Sequence, residues 1–430
     1  MDTLRQRSGA KTEHGDIPGD IHRHAAQAIE RCRELAAITD IPGQTTRTFL
    51  SPAMRSAMTR VQSWMEAAGC AVSIDAAGNL RGLYAAVTDD APLLLIGSHL
   101  DTVPDAGAFD GVLGVMIALS LLEMLQGERL RYAIELVAFS EEEGVRFRVP
   151  FIGSCALVGR VDHDLLSVAD SGGITVKEAI RSFGLDPEMM GKASVVDRAA
   201  AYLEFHIEQG PVLESEGLSL GIVEAIAGQT RGEVRFIGSA NHAGTTPMHL
   251  RRDAVAGIAE WILAVEDEAR ATKGLVATVG WVSAAPGAGN VVAGEARASL
   301  DLRHAEDAVR FTAVNELLEK AQSIAARRGL RTEWQPQMEQ RAVAMDARLT
   351  LMVETAACET GAIPLRMTSG AGHDAMIMAE RVPSAMIFLR SPGGVSHHPS
   401  EAVREEDVAN ALAAGLAFLK LFDRTRDAHA

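Results

Sequence analysis

The chain has 430 residues, more than one domain usually holds, so two domains are expected. An apolar content of 47 % with 23 % charged residues is that of a soluble globular protein, and a formal net charge of −16 argues against nucleic acid or an anionic membrane as partner. No apolar run reaches the ~18 residues of a transmembrane helix. Met1 to Asp20 is polar, mixed in charge and without an apolar h-region, so a loose tail (1–20) is expected and not a signal peptide. The four cysteines, Cys32, Cys70, Cys155 and Cys358, have no paired spacing, which suits a reduced cytoplasmic protein with buried thiols better than a disulfide framework or a zinc ribbon.

In chain order, Ile21 to Thr39 reads as a helix ended by Pro42-Gly43, and Pro52 to Ala68 as a second, with Ser51 as N-cap and Gly69 as the stop. Short strands are expected at Ala71 to Ile74 and Leu80 to Ala85. The strand Leu93 to Ile96, the helix Gly114 to Leu125 and the strand Ala133 to Phe139 alternate as β-α-β, with strands apolar throughout. That pattern predicts a mostly parallel sheet covered on both faces. Helices are expected at Ser154 to Val158 and Val176 to Ser182, and a further strand or helix end leads into Leu203 to His206.

After Gly217 the character changes. Strands at Gly221 to Ala227 and Glu233 to Ile237, a helix from Arg252 to Thr272, strands at Leu275 to Val282 and Ala296 to Leu302, and a helix from Ala308 to Arg328 predict a small α+β sandwich inserted into the first domain. The α/β pattern returns with a helix Leu349 to Gly361, a strand Ser384 to Leu389 and a last helix Glu405 to Phe422. The expected division is 21–217 with 332–430 as one domain and 218–331 as the insert.

Chemistry-bearing residues gather where these strands end. Gly97-Ser98-His99-Leu100-Asp101 follows an apolar strand, and side chains two apart share a side, so Asp101 stands where it could fix the tautomer of His99. Asp110 follows in a Gly-rich turn before a helix, where a carboxylate could bridge two metal ions; a core histidine and a turn aspartate would look the same. Ser140-Glu141-Glu142-Glu143-Gly144 puts three acids at a strand's carboxyl end, either a solvated acidic turn or acids neutralised by a cation, one as ligand and a neighbour as general base. His206 and the pair His397-His398 complete the set. His99, Asp110, one of Glu141 to Glu143, His206 and one of His397 and His398 make five N/O ligands, the requirement of a dinuclear zinc or manganese hydrolase. His-Glu-x-x-His and a Walker A loop are both absent.

The segments GSHLDTV, FDGVLG, AFSEEEGVRF, FHIEQGPVLE, ANHAGTTPM, DLRHAED, SGAGHDA and GGVSHHPSE, in this order, resemble the M20 metallopeptidase-like family. Within it they are most similar to the amidohydrolase, or hydantoinase/carbamoylase, branch, which holds N-carbamoyl-L-amino-acid hydrolases, ureidopropionases and allantoate amidohydrolases. The resemblance implies an α/β dinuclear metallohydrolase domain with an inserted α+β lid that also forms a homodimer. It implies two divalent ions per subunit, Zn2+ or Mn2+ with Co2+ or Ni2+ as alternatives. Asp110 would bridge them, His99 and His206 completing one site and Glu143 and His397 the other. Glu142 would be the base that takes a proton from water and passes it to the leaving nitrogen, and Asp101 would orient His99. His242 would stabilise the oxyanion across the dimer, Asn290 and Arg303 would hold the substrate carboxylate, and Gln209 would touch the ureido group.

The implied reaction removes the carbamoyl group of an N-carbamoyl-L-amino acid, giving amino acid, carbon dioxide and ammonia. An allantoate amidohydrolase, a peptidase of the same superfamily and an inactive binding protein are the alternatives, the peptidase disfavoured by His206. The chain departs from the family pattern at Ala106-Gly107-Ala108, Cys155, Phe205 and His398. His373 in SGAGHDA is a candidate for the pocket wall, and His14, His22, His24, His163, His249 and His304 read as surface residues.

Overall fold

The computed structural model describes residues 19–161 and 164–424, which leaves His14, His163 and the expected tail before residue 19 outside the described residues. In chain order the elements are α1 (Gly19–Ala36), α2 (Pro52–Ala67), β1 (Ala71–Ile74), β2 (Leu80–Tyr84), β3 (Leu93–His99), α3 (Val112–Met124), β4 (Ala133–Phe139), α4 (Ile152–Leu157), α5 (Val176–Ser182), β5 (Ala199–Ile207), α6 (Val212–Glu216) and β6 (Leu220–Ile226). There follow β7 (Gly228–Ile237), β8 (Asn241–His242), α7 (Ala254–Ala271), β9 (Val276–Thr278), β10 (Val282–Ala285), β11 (Val291–Val292), β12 (Glu295–His304), α8 (Asp307–Arg328), β13 (Arg331–Gln340) and β14 (Val343–Ala344). The chain closes with α9 (Ala347–Glu359), β15 (Leu365–Ser369), α10 (Asp374–Met378), β16 (Ser384–Leu389) and α11 (Glu405–Arg424).

Two compact units emerge, one of residues up to Glu224, Met345–Met367 and from His373 on, the other of Ala225–Ala344 with Thr368–Gly372. The first is organised on a sheet in the order β1-β2-β4-β3-β5-β16-β6, parallel from β4 to β16 and antiparallel at both flanks. Every residue of β3, β4 and β16 is buried, which is why these strands carry apolar runs instead of an alternation. α3 lies against β3 and β5 and is covered in turn by α1 and α11, so it is apolar on every side. Its approach to β5 needs Gly114, where a Cβ would stand 2.1 Å from the Phe205 carbonyl oxygen. The four parallel strands end on one side of the sheet, at His99, Phe139, Ile207 and Leu389, and the candidate ligands lie in their last residues or in the loops that leave them.

The second unit is a five-stranded antiparallel sheet, β10-β12-β7-β13 with β9 beside β12. α7 and α8 bury one face of it around Val234, Phe236, Trp261, Leu300 and Leu317. Here the expectations need correction. The strand expected at Gly221 to Ala227 is β6, which pairs antiparallel to β16 in the large sheet. The strand expected over Leu275 to Val282 is two pieces, β9 and β10, both on β12. β13 was not foreseen, because Arg331 to Gln340 has neither an apolar alternation nor freedom from proline. It pairs along β7 with a register shift between Pro336 and Met338, and so carries the second unit past 331 to Ala344.

Candidate metal centre

The candidate ligands of the first unit meet at the carboxyl ends of β3, β4, β5 and β16. Asp110, 3 % exposed, is the common member. Its Oδ1 lies 3.2 Å from His206 Nε2 and 3.9 Å from His99 Nε2, and its Oδ2 lies 3.1 Å from His397 Nε2. His397 Nε2 is also 3.6 Å from Glu143 Oε1. One carboxylate thus faces two histidines with one oxygen and a His-Glu pair with the other. Among the described residues three groups have ligand atoms close enough to hold an ion: His99, Asp110 and His206; His99, Glu142 and Glu143; and Asp110, Glu143 and His397.

The two ambiguities of the sequence resolve through burial and partners. Glu141 is fully buried and bonds the Gly144 amide through Oε1, leaving Glu142 and Glu143 in the cluster. His398 is exposed and engages Ser400 Oγ at 2.7 Å, so His397 is the member that reaches Asp110. His397 adopts φ 55° and Gln209 φ 60°, left-handed backbone that side chains other than glycine seldom take, and both flank the cluster.

The tautomers follow from the other ring nitrogens. His99 Nδ1 sits 3.0 Å from the Asp101 carbonyl oxygen and His206 Nδ1 2.9 Å from that of Ile207. Each is a donor position, so each Nε2 turns a lone pair towards Asp110. The Asp101 side chain has a wider task than orienting His99: it stands 3.4 Å from His99 Nδ1 and accepts from the amides of Glu142 and Glu143, both at 3.0 Å. It therefore fixes the turn that presents both acids. Beneath it the fully buried Arg47 ties Leu100 O to Leu35 O and Ile38 O at the end of α1, a role that the isolated segment Thr45-Thr46-Arg47 did not signal.

Electrostatics give the test of fit for a metal. Burial pushes the Glu143 carboxyl up to about 7 and Glu142 well above the usual carboxylate range, and pulls His206 down to about 4. His206 is thus neutral at pH 7, the form that ligates metals. Burial opposes a charge on His99 too, but its hydrogen bond to Asp101 and the acids Glu142, Asp101 and Asp110 outweigh it and hold the ring's pKa up. Three imidazoles face three carboxylates, and among the described residues no lysine or arginine pairs with Asp110, Glu142 or Glu143. Acceptors crowded in this way need a cation between them, and an all-N/O set without cysteine suits zinc or manganese. The residues fit two divalent ions.

The remaining expectations lie elsewhere. His373 is 1 % exposed and packs edge-on to His206 at 4.5 Å between centroids, so it supports a ligand ring and does not form an open wall. In the second unit the β8–β11 ribbon sets His242 opposite Val291 and joins Ala243 N to Asn290 O at 2.9 Å. Arg303 holds Asp301 with two bonds of 2.8 Å and Gly370 O with a third. His24 and His304 are buried, against the surface reading: His304 bonds the Glu306 amide and Lys273 O, and His24 sits 3.7 Å from Glu123. Cys358 is exposed and Cys155 half-buried beside Arg160, so only Cys32 and Cys70 are the buried thiols expected.

A partly parallel α/β sheet with three histidines and three acids at its strand ends is the framework of a dinuclear metallohydrolase. Residues 95–421 match the peptidase family M20/M25/M40. The chain is 38 % identical over 433 residues to an allantoate deiminase of Arabidopsis thaliana, covering 92 % of this chain and 82 % of the relative. It is 39 % identical over 384 residues to an N-carbamoyl-L-amino acid amidohydrolase of Geobacillus stearothermophilus, covering 88 % and 94 %. A hydantoinase/carbamoylase family amidase from Burkholderia multivorans superposes with a TM-score of 0.87 at 32 % identity, over 92 % of this chain and 97 % of that one. The chain belongs to the M20/M25/M40 family and, within it, to the amidohydrolases of linear carbon–nitrogen bonds.

Proposed function

We propose that this enzyme hydrolyses the carbamoyl group of an N-carbamoyl-L-amino acid, releasing the amino acid, carbon dioxide and ammonia. The observation that carries the reading is Asp110 between His99 with His206 on one side and His397 with Glu143 on the other. Asp110, His99, His206, Glu143 and His397 would hold two divalent ions, Zn2+ or Mn2+. Such ions, when bound, supply Lewis acidity towards the carbonyl and bring the pKa of water down towards neutrality.

The chain's own residues supply the rest. Glu142, with its carboxyl pushed up by burial, is matched to taking a proton from water and returning it to the leaving nitrogen. Asp101 holds the Glu142 amide and thereby the direction in which that carboxylate points. Gln209 gives its Nε2 to Asp110 at 3.1 Å, while its buried Oε1 has no partner among the described residues and suits a ureido N–H. From the second unit, Arg303 would hold the substrate carboxylate in a forked contact together with Asn290, and His242 would donate to the developing oxyanion across a homodimer. Among the described residues no helix is long and apolar enough to cross a membrane, and a cytoplasmic enzyme is proposed.

The similarity to plant allantoate deiminases favours a second substrate, allantoate, for the same machinery. Ammonia release by the metal-loaded enzyme, from allantoate and from a panel of N-carbamoyl-L-amino acids, decides between them. Faster turnover of a carbamoyl amino acid is expected, a preference for allantoate would transfer the assignment, and turnover of neither would overturn it. Glu142→Gln should retain metal and fold and lose about 10²-fold or more in kcat. Full activity in that variant would remove Glu142 from the reaction.

A further inference from the structure

Asp110 can bridge two ions only if its own backbone is fixed, and α3 holds it on one side only, where the Val112 amide bonds Asp110 O at 2.7 Å. Gly111 precedes α3 without a side-chain cap; the Leu113 amide bonds Phe109 O, and the amides of Phe109 and Asp110 themselves, which lie before the helix, take their acceptor from elsewhere. The acceptor comes from the far end of the sequence. Glu401 Oε1 accepts the Phe109 amide at 2.8 Å and the Asp110 amide at 2.9 Å. Its Oε2 lies 3.4 Å from Ser396 Oγ, which in turn lies 3.2 Å from Asp110 Oδ2, and its own amide bonds His398 O at 3.0 Å. The side chain is 6 % exposed.

A carboxylate that deep is costly unless several donors converge on it. Here two successive backbone N–H groups at the positive end of a helix do so. The chain also makes room for it: a Cβ on Gly107 would stand 2.3 Å from Glu401 Cβ and 2.6 Å from Oε1. The Ala106-Gly107-Ala108 departure therefore includes the position that admits this side chain. Glu401 touches none of the facing ligand atoms, yet it joins the loop that carries Asp110 to the loop that carries His397.

We infer that Glu401 is the positioning residue of the metal centre, setting the bridging carboxylate and the His397 loop at the separation that two ions require. The inference rests on the dinuclear reading above. Its mechanism is placement, so a side chain of the same length with one oxygen to accept both amides must suffice. Glutamine meets that condition and alanine does not.

Calorimetric titration of the metal-free proteins with Mn2+ tests this, with circular dichroism recording the fold. Wild type should take up two ions, and Glu401→Ala should stay folded but bind at least one of them about 10–100-fold more weakly. Glu401→Gln should bind close to wild type. Wild-type affinity in Glu401→Ala would overturn the inference, and so would a Glu401→Gln as weak as Glu401→Ala, since charge and not placement would then be at work. If Glu401→Ala does not fold, Gly107→Ala decides: it displaces the carboxylate without removing it, so weakened binding upholds the role and unchanged binding overturns it. A wild-type chain that fails to take up two ions would overturn the dinuclear reading itself, a result distinct from any difference among variants.

Discussion

Asp101 illustrates how much one side chain near a candidate metal ligand does. Its two oxygens accept the amides of Glu142 and Glu143, and Oδ1 also faces His99 Nδ1. Asp101→Asn keeps the shape but turns an NH2 towards one of those three donors, so one contact becomes donor against donor. The expected result is Mn2+ binding weakened about 10–100-fold in a variant whose circular dichroism is unchanged. Wild-type affinity there would mean that the turn holds itself. The convergence of the candidate ligands was legible because each sits in a short motif at a strand's end. Arg47 and Glu401 were not, because what they bond is remote in sequence: Glu401 lies 292 residues from Phe109. Spacing alone left Glu141 to Glu143 and His397 against His398 open; the resemblance named Glu143 and His397, and the turn geometry of the folded chain supplies the physical reason.

Elements determine how those motifs meet. α3 presses its first turns against β5 one residue before His206, and Gly114 makes the approach possible. Gly114→Ala gains about 1 kcal/mol of helix propensity, but a backbone carbonyl 2.1 Å from the new methyl cannot turn aside, and overpacking costs about 1–3 kcal/mol. So close a backbone contact puts the cost at the upper end of that range, about 2–3 kcal/mol, and a net loss of about 1–2 kcal/mol in urea unfolding is expected; an unchanged or raised midpoint would show that the helix shifts freely. The parallel strands were readable for the same reason that they are rigid: burial on both faces demands unbroken apolar runs. β13 and β15 were not, since β13 is mostly exposed, β15 is only partly buried, and partner strands, not apolarity, define them. The misassigned β6 shows a related limit, because an apolar segment does not announce which of two sheets it will join.

At the scale of the whole molecule, the clustered carboxylates make the fold and the ions interdependent. Asp110, Glu142 and Glu143 share a buried site with three histidines, and a divalent cation that binds only the folded chain stabilises it by about 2.7 kcal/mol at a hundred times its Kd. Chelation should therefore lower the Tm and added Mn2+ or Zn2+ should restore it; a Tm indifferent to chelator would argue that no ion is held there. Residues on both sides of the second unit are needed to form the cluster, and the latest of them follow that unit entirely. During synthesis His99, Asp110, Glu143 and His206 leave the ribosome first, and His397 with Glu401 only after the second unit and most of the remaining chain have emerged. A nascent chain thus carries an incomplete acidic cluster until late in its translation, and a product stopped short of residue 397 lacks one of the candidate ligands.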